Sequence, residues 1–203
     1  LNDGDAFDTA PDPASVAAPP MLQLLGNNNN NNKKIVPSRE VCECVVVSCA
    51  GRRLSGRVRQ VFVAMGQWGV APTQRMYTIA INSCGAKVWR ALRYLDEMIA
   101  GEVQPNAVTY ACAIGVCKRA RRWREAKKLL HEMRECSIAP NEVAFANAIH
   151  ACGRAGEFTE ALGLLDLMRA ENNPPPNVVC YTAALGACER AGQWQSVLDL
   201  LDE

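Results

Sequence analysis

The sequence predicts an all-α fold, a stack of helix pairs preceded by a segment with no core of its own. Three observations predict it. An apolar spacing of i, i+4, i+7, then i, i+3, i+4, i+7, recurs from Arg39 to Glu203. A proline closes each complete round, at Pro72, Pro105, Pro140 and Pro176. No run of 18 apolar residues occurs, so no transmembrane helix and no membrane partner are expected.

The round from Ala107 to Asn141 shows the logic most fully. Tyr110, Ile114 and Cys117 fall on one face of a first helix, and Ala126, Leu129, Leu130 and Met133 on one face of a second. Pro140 lacks an amide proton and disfavours helical geometry at Ala139, so the second helix must stop before it. Two helices of this size cannot bury their stripes against each other alone.

Neighbours on both sides repeat the pattern. Upstream, Tyr77, Ile81 and Cys84 precede Ala91, Tyr94, Leu95 and Met98; before them come Cys42, Val46, Cys49, then Val58, Val61, Phe62 and Met65. Downstream, Phe145, Ile149 and Cys152 precede Ala161, Leu164, Leu165 and Met168, and Tyr181, Leu185 and Cys188 precede Val197, Leu200 and Leu201. The units 39–73, 74–106, 107–141 and 142–177 hold 35, 33, 35 and 36 residues, and 178–203 is a partial unit. That period belongs to helical-pair solenoids, in which each unit touches only its neighbours. The short unit has lost two residues near Gly85–Leu92 and the long one has gained one in Asn172–Pro176, both near connections, where change is tolerated best.

Residues 1–38 are a different material. An Asp-, Ala- and Pro-rich stretch, a short apolar patch at Met21–Leu25 and six asparagines at Asn27–Asn32 cannot bury enough apolar area to offset chain entropy. The segment therefore reads as disordered and low in complexity. A chain that starts at Leu1 and stops inside a unit reads as a fragment of a longer protein. Asp3, Asp5, Asp8 and Asp12 are the reverse of a transit peptide.

Charge and cysteine narrow the chemistry. Residues 1–38 hold two of the 22 basic and four of the 21 acidic residues, which leaves 20 against 17 in the repeats. That mildly basic balance permits a polyanion partner without demanding one. Five of the ten cysteines (Cys49, Cys84, Cys117, Cys152, Cys188) share place 11 of successive units, counting each unit's first residue as place 1. There they read as small buried residues at a helix contact. Equivalent places lie about 8–10 Å apart, too far to share one zinc ion with Zn–S bonds of about 2.3 Å, and no Cys-x-x-Cys occurs. A reducing interior follows, with no metal and no cofactor. His131 and His150 are the only histidines, no His-x-Glu accompanies a paired-cysteine motif, and no phosphate-cradling glycine loop or nucleophile elbow is present. A binder rather than an enzyme is expected.

As a set, these residues resemble the pentatricopeptide repeat family: Val108-Thr109-Tyr110, Cys117-Lys118-Arg119, the Ala126 to Met133 face and Ala139-Pro140-Asn141. Ala151-Cys152-Gly153-Arg154-Ala155-Gly156 and Ala187-Cys188-Glu189-Arg190-Ala191-Gly192 carry it into the next units, over Arg39–Glu203 in all. The Trp, Gly and Tyr signature of tetratricopeptide first helices is missing. The resemblance implies a right-handed α-solenoid that binds single-stranded RNA on its concave face, with about one base addressed per unit. It also implies work on organellar transcripts (processing, editing, stability or translation) in a mitochondrion or chloroplast, as a monomer beside other RNA-processing proteins.

In that family the base-reading residues are place 5 and the unit's last residue, place 2 sandwiches the base, and a basic residue near place 13 faces phosphate. Carried over, the resemblance implies base reading by Thr78 with Asn106, Ala111 with Asn141, and Ala146 with Asn177, with Thr182 in the partial unit. It implies sandwiching by Arg75, Val108, Val143 and Val179, and phosphate contact by Arg119, Arg154 and Arg190. Alanine carries no donor or acceptor, so two of these pairs are half blank. The first unit offers Glu43 with Thr73, an unusual pair.

Blander roles compete for the same residues. Asparagine between a proline and a helix is a good N-cap, and the arginines could line a solvated turn. Trp89, Trp123 and Trp194, with Phe158, read as plugs between helices. The cluster Arg119, Arg121, Arg122, Arg124, Lys127 and Lys128 is either an exposed face or a nucleic-acid contact. A protein-interaction scaffold that takes a peptide in the same groove is the alternative function.

Overall fold

The computed structural model describes residues 36–52, 54–171 and 174–201. Nearly all of the segment read above as disordered lies outside the described residues, as do the side chains of Val197, Leu200 and Leu201. Among the described residues ten helices follow one another: α1 (Arg39–Gly51), α2 (Ser55–Trp68), α3 (Gln74–Ser83), α4 (Val88–Ala100), α5 (Ala107–Ala120), α6 (Trp123–Glu135), α7 (Glu142–Ala155), α8 (Phe158–Glu171), α9 (Val178–Arg190) and α10 (Trp194–Leu201). Among the described residues there is no strand, and no helix is long and apolar enough to cross a membrane.

The residue after each closing proline sets the entry of the next first helix. Asn106 and Asn141 accept the amides of Thr109 and Ala144, each at 2.9 Å, and Asn177 accepts those of Val179 and Cys180. Thr73 does the same for Met76 at 3.3 Å. These bonds satisfy helix-start donors that have no partner within the helix.

The first helices (α1, α3, α5, α7, α9) pack in series, and each second helix lies on the first helix of its own unit and of the next. The product is a solenoid of two rows. The expected stripes form its core: Tyr110, Phe145, Ile81, Ile114, Ile149, Met98, Met133 and Met168 are buried, with the place-11 cysteines Cys84, Cys117, Cys152 and Cys188 beside them. Cys49, in the first unit, is only half-buried.

The first helices carry a further buried stripe that the sequence reading did not single out, at places 3, 7 and 10. Thr109, Ala113 and Val116 in α5, Ala144, Ala148 and Ala151 in α7, and Cys180, Ala183, Ala184 and Ala187 around the same stripe in α9 are all inaccessible. This stripe meets the preceding unit, because an added Cβ on Gly153 of α7 would stand 2.7 Å from the Cβ of Ala187. In α1, which no described unit precedes, Val41 at place 3 is exposed and Val45 at place 7 is half-buried. First helices are thus apolar on two sides, which flattens their amphipathic signal.

Burial pushes the thiols of Cys84 and Cys152 up to about 11 and that of Cys117 up to about 12. Thiolate is the nucleophile, so these thiols should be slow. In the native chain at pH 8, iodoacetamide is expected to label exposed Cys44 and Cys136 first, with Cys84, Cys117 and Cys152 modified only after denaturant is added. Peptide mass spectrometry reads the order, and early labelling of Cys117 would contradict the packing.

Candidate nucleic-acid interface

Stacking brings place 5 of one first helix against place 3 of the next. Thr78 donates its hydroxyl to the Gln74 carbonyl at 3.0 Å and shares a second hydrogen bond, also 3.0 Å, with the Thr109 hydroxyl. The Thr109 hydroxyl in turn lies 3.0 Å from Asn106 Oδ1. Thr78 and Asn106 are therefore joined through Thr109, with the Asn106 amide nitrogen left over on an exposed side chain.

The other pairs differ. Ala111 and Ala146 are buried under the next first helix. Asn141 uses its oxygen as a cap, while Asn177 also donates its amide to Glu142 at 2.5 Å. Thr182 is exposed and bonds back to the Val178 carbonyl.

Place 2 is open. Val108, Val143 and Val179 are 54 %, 57 % and 54 % exposed, although the residues at places 3 and 4 beside the first two are buried. They make a spaced apolar row at the entry ends of α5, α7 and α9. Arg75 occupies the same place on α3, but its guanidinium pairs with Glu43, place 5 of the preceding unit, at 3.1 Å.

The place-13 arginines divide. Arg119 donates to the carbonyls of Gly85 (2.7 Å) and Asn82 (3.2 Å), and Arg190 to that of Gly153 (3.0 Å). In both cases the acceptor Gly85 or Gly153 is a glycine at place 12 of the preceding unit, and the guanidinium satisfies carbonyls left open at a helix end. The preceding unit of Arg154 has Lys118 there instead, and Arg154 is exposed with no hydrogen bond or ion pair among the described residues. Lys118 reaches forward to Asn147 Oδ1 at 2.5 Å, and Asn147 Nδ2 reaches back to the Ala111 carbonyl at 3.1 Å. His150 stands one turn after Asn147, held below the ordinary imidazole value by burial and by the charges of Lys118, Arg190 and Arg154. Sequence reading passed over Asn147 and weighed His150 only for catalysis. Their 3–4 spacing with Arg154 on α7 was the available signal.

Residues 105–152 match the PPR repeat family, and residues 143–173 and 179–203 each match the PPR repeat. The chain belongs to the pentatricopeptide repeat family. Its fold is similar to that of the maize pentatricopeptide repeat protein PPR10, with TM-score 0.72, 18 % identity and coverage of 82 % of this chain and 24 % of that one. The structure of PPR10 with an 18-nt psaJ RNA element matches at 26 % identity and TM-score 0.67, over 81 % of this chain and 24 % of that one. The PPR domain of Arabidopsis thaliana protein-only RNase P 1, in complex with tRNA, matches at 16 % identity and TM-score 0.68, over 81 % of this chain and 87 % of that one. This chain thus spans about a quarter of PPR10. No curated protein matches it.

One reading of this pentatricopeptide repeat chain needs correction. Trp89 does not plug the gap between helices: it is 57 % exposed, with Arg90 over its ring at 5.0 Å. The two missing residues shorten α3 to 10 residues, so Val88, the first residue of α4, takes the half-buried position that Trp123 and Phe158 hold at the starts of α6 and α8. Trp194, in register with Trp123 and Phe158, is 65 % exposed on α10. Half of the basic cluster is paired with carboxylates: Arg122 with Glu125, Lys127 with Glu160 and Lys128 with Glu132, while Arg124 stacks on Trp123. Among the described residues no three or more His, Cys, Asp or Glu side chains gather to hold a metal.

Proposed function

We propose that this pentatricopeptide repeat array binds single-stranded RNA along its row of first helices and acts on organellar transcripts in a mitochondrion or chloroplast. The open valine row carries the reading. Three branched apolar side chains, each more than half exposed and one per unit, suit stacking of successive unpaired bases. The likeness to PPR10 held with an RNA element supports RNA as the ligand. Base choice falls to the unit with Thr78 and Asn106, because Ala111 and Ala146 are apolar and covered. The monomer, at about one base per unit, has a short footprint, and other RNA-processing proteins would extend its action. Those two covered alanines are the observation that favours a peptide-binding scaffold instead.

The test is retention of random-sequence single-stranded RNA by the full chain at two salt concentrations, with recovered sequences read out. One register is expected to be enriched, and Thr78→Ala to lose that enrichment. Asn106→Asp keeps an N-cap acceptor but removes the amide donor, so it should change the preferred base without loss of stability. Asn106→Ala should lose both, with about 1 kcal/mol of stability. Each phosphate held adds about 0.7 to the log–log salt slope. No retention at low salt would leave the scaffold reading.

A further inference from the structure

On α7, Asn147, His150 and Arg154 fall at i, i+3 and i+7, so they form one stripe along the helix. Lys118 flanks the stripe from α5 through its bond to Asn147, and Arg190 flanks it from α9 through its bond to Gly153. Two neighbouring first helices thus lean cations over a third. Neither Lys118, His150, Arg154 nor Arg190 makes an ion pair with a carboxylate among the described residues. Lys118 and His150 are both half-buried.

Lys118 is half-buried and Arg154 and Arg190 are exposed, so like charges meet here with one of them partly out of water, which is costly without an anion. The helix dipole offsets part of this for Lys118, Arg154 and Arg190, which lie in the last turns of their helices. It does not account for His150, a turn further in. His150 also stands four residues, about 6 Å of helix, nearer the valine row than Arg154 does.

We propose that Lys118, His150 and Arg154, with Arg190 beside them, form a proton-linked seat for one phosphodiester group. The inference rests on the RNA reading above and adds the seat and its pH dependence. Asn147 holds Lys118 over the stripe. The groups facing His150 are Lys118 from α5, Arg154 from its own helix and Arg190 from α9, all positive. An anion between them reverses that field, so the imidazole takes up a proton on binding and affinity rises as pH falls.

The two histidines make this measurable, since His131 lies on α6 and is exposed beside Glu135. In the full chain, the His150 ring signal is followed by NMR from pH 5 to 8, free and with a 12-mer single-stranded RNA or tripolyphosphate. Each probe is expected to raise the His150 midpoint by about one unit, equivalent to about tenfold tighter binding at the acid end, and to leave His131 unmoved. His150→Gln should flatten the pH dependence of RNA affinity while keeping binding at pH 8, and Lys118→Met should lower the salt slope. RNA that binds without moving His150 overturns the seat and leaves the RNA reading standing. Tripolyphosphate that moves His150 while no RNA binds keeps the seat and removes the RNA reading. Neither probe moving it sinks the seat outright.

Discussion

Phe145→Ala is expected to lower the free energy of unfolding by about 3–5 kcal/mol, the range for emptying a fully buried aromatic site. Phe145 is 0 % exposed in α7, at place 4 of the unit 142–177, with the Arg134 guanidinium from α6 5.8 Å from its ring. The residue therefore ties α7 to the second helix of the unit before it. Stability in such an array is a sum of unit terms and nearest-neighbour interfaces, so the damage should not be shared evenly. Urea melts followed by circular dichroism are expected to show a broader transition with a smaller m-value as the two sides of the weak joint unfold apart. A parallel shift of under 1 kcal/mol with unchanged m would show that this joint does not couple the array.

Gly153→Ala should be the second most damaging change, although it adds only a methyl group to a helix. The added Cβ would stand 2.7 Å from Ala187 Cβ, 3.1 Å from Ala187 Cα and 2.7 Å from Arg190 Nη2. The arginine tip can move, but the Ala187 backbone cannot without α9 shifting away from α7. That overpacking is expected to cost about 1–3 kcal/mol and to strain the Arg190 bond to the Gly153 carbonyl. Gly163→Ala on the exposed side of α8 is the control, since nothing lies within 4 Å of its added Cβ. It should gain about 0.5–1 kcal/mol from helix propensity. Thermal melts of the two variants should move in opposite directions, and the same sign for both would contradict the close approach of α7 and α9.

Much of the fold was legible because each second helix faces the core on one side only. Leu129, Leu130 and Met133 read directly as a buried stripe and are one. The first helices were half legible. Their place-4, 8 and 11 stripe was clear, but the stripe against the preceding unit is made of small residues such as Ala113, Ala148 and Ala184, which carry little weight in a periodicity count. Trp89 was misread because the deficit was placed only within Gly85–Leu92, a span that holds Val88 and Trp89 alike.

The site was legible as residue types and not as occupied groups. Nothing local in Thr78 announces a partner 31 positions on, nor in Arg119 one 34 positions back. Those bonds exist only once units stack, and they decide which side chains stay open to a ligand. Arg154 is open and Arg119 is engaged, though both share one place in the repeat.

That difference makes the units an ordered text, with a grammar at each seam. The arginine of one unit finds its acceptor where the unit before it has glycine at place 12. Were the unit of Arg190 to follow that of Lys118 directly, a lysine side chain and its charge would crowd the space that Gly153 leaves for the arginine beside its carbonyl. An array of this kind that grows or shrinks by whole units must therefore mend the junction it creates, and not every order of the same units is equally good.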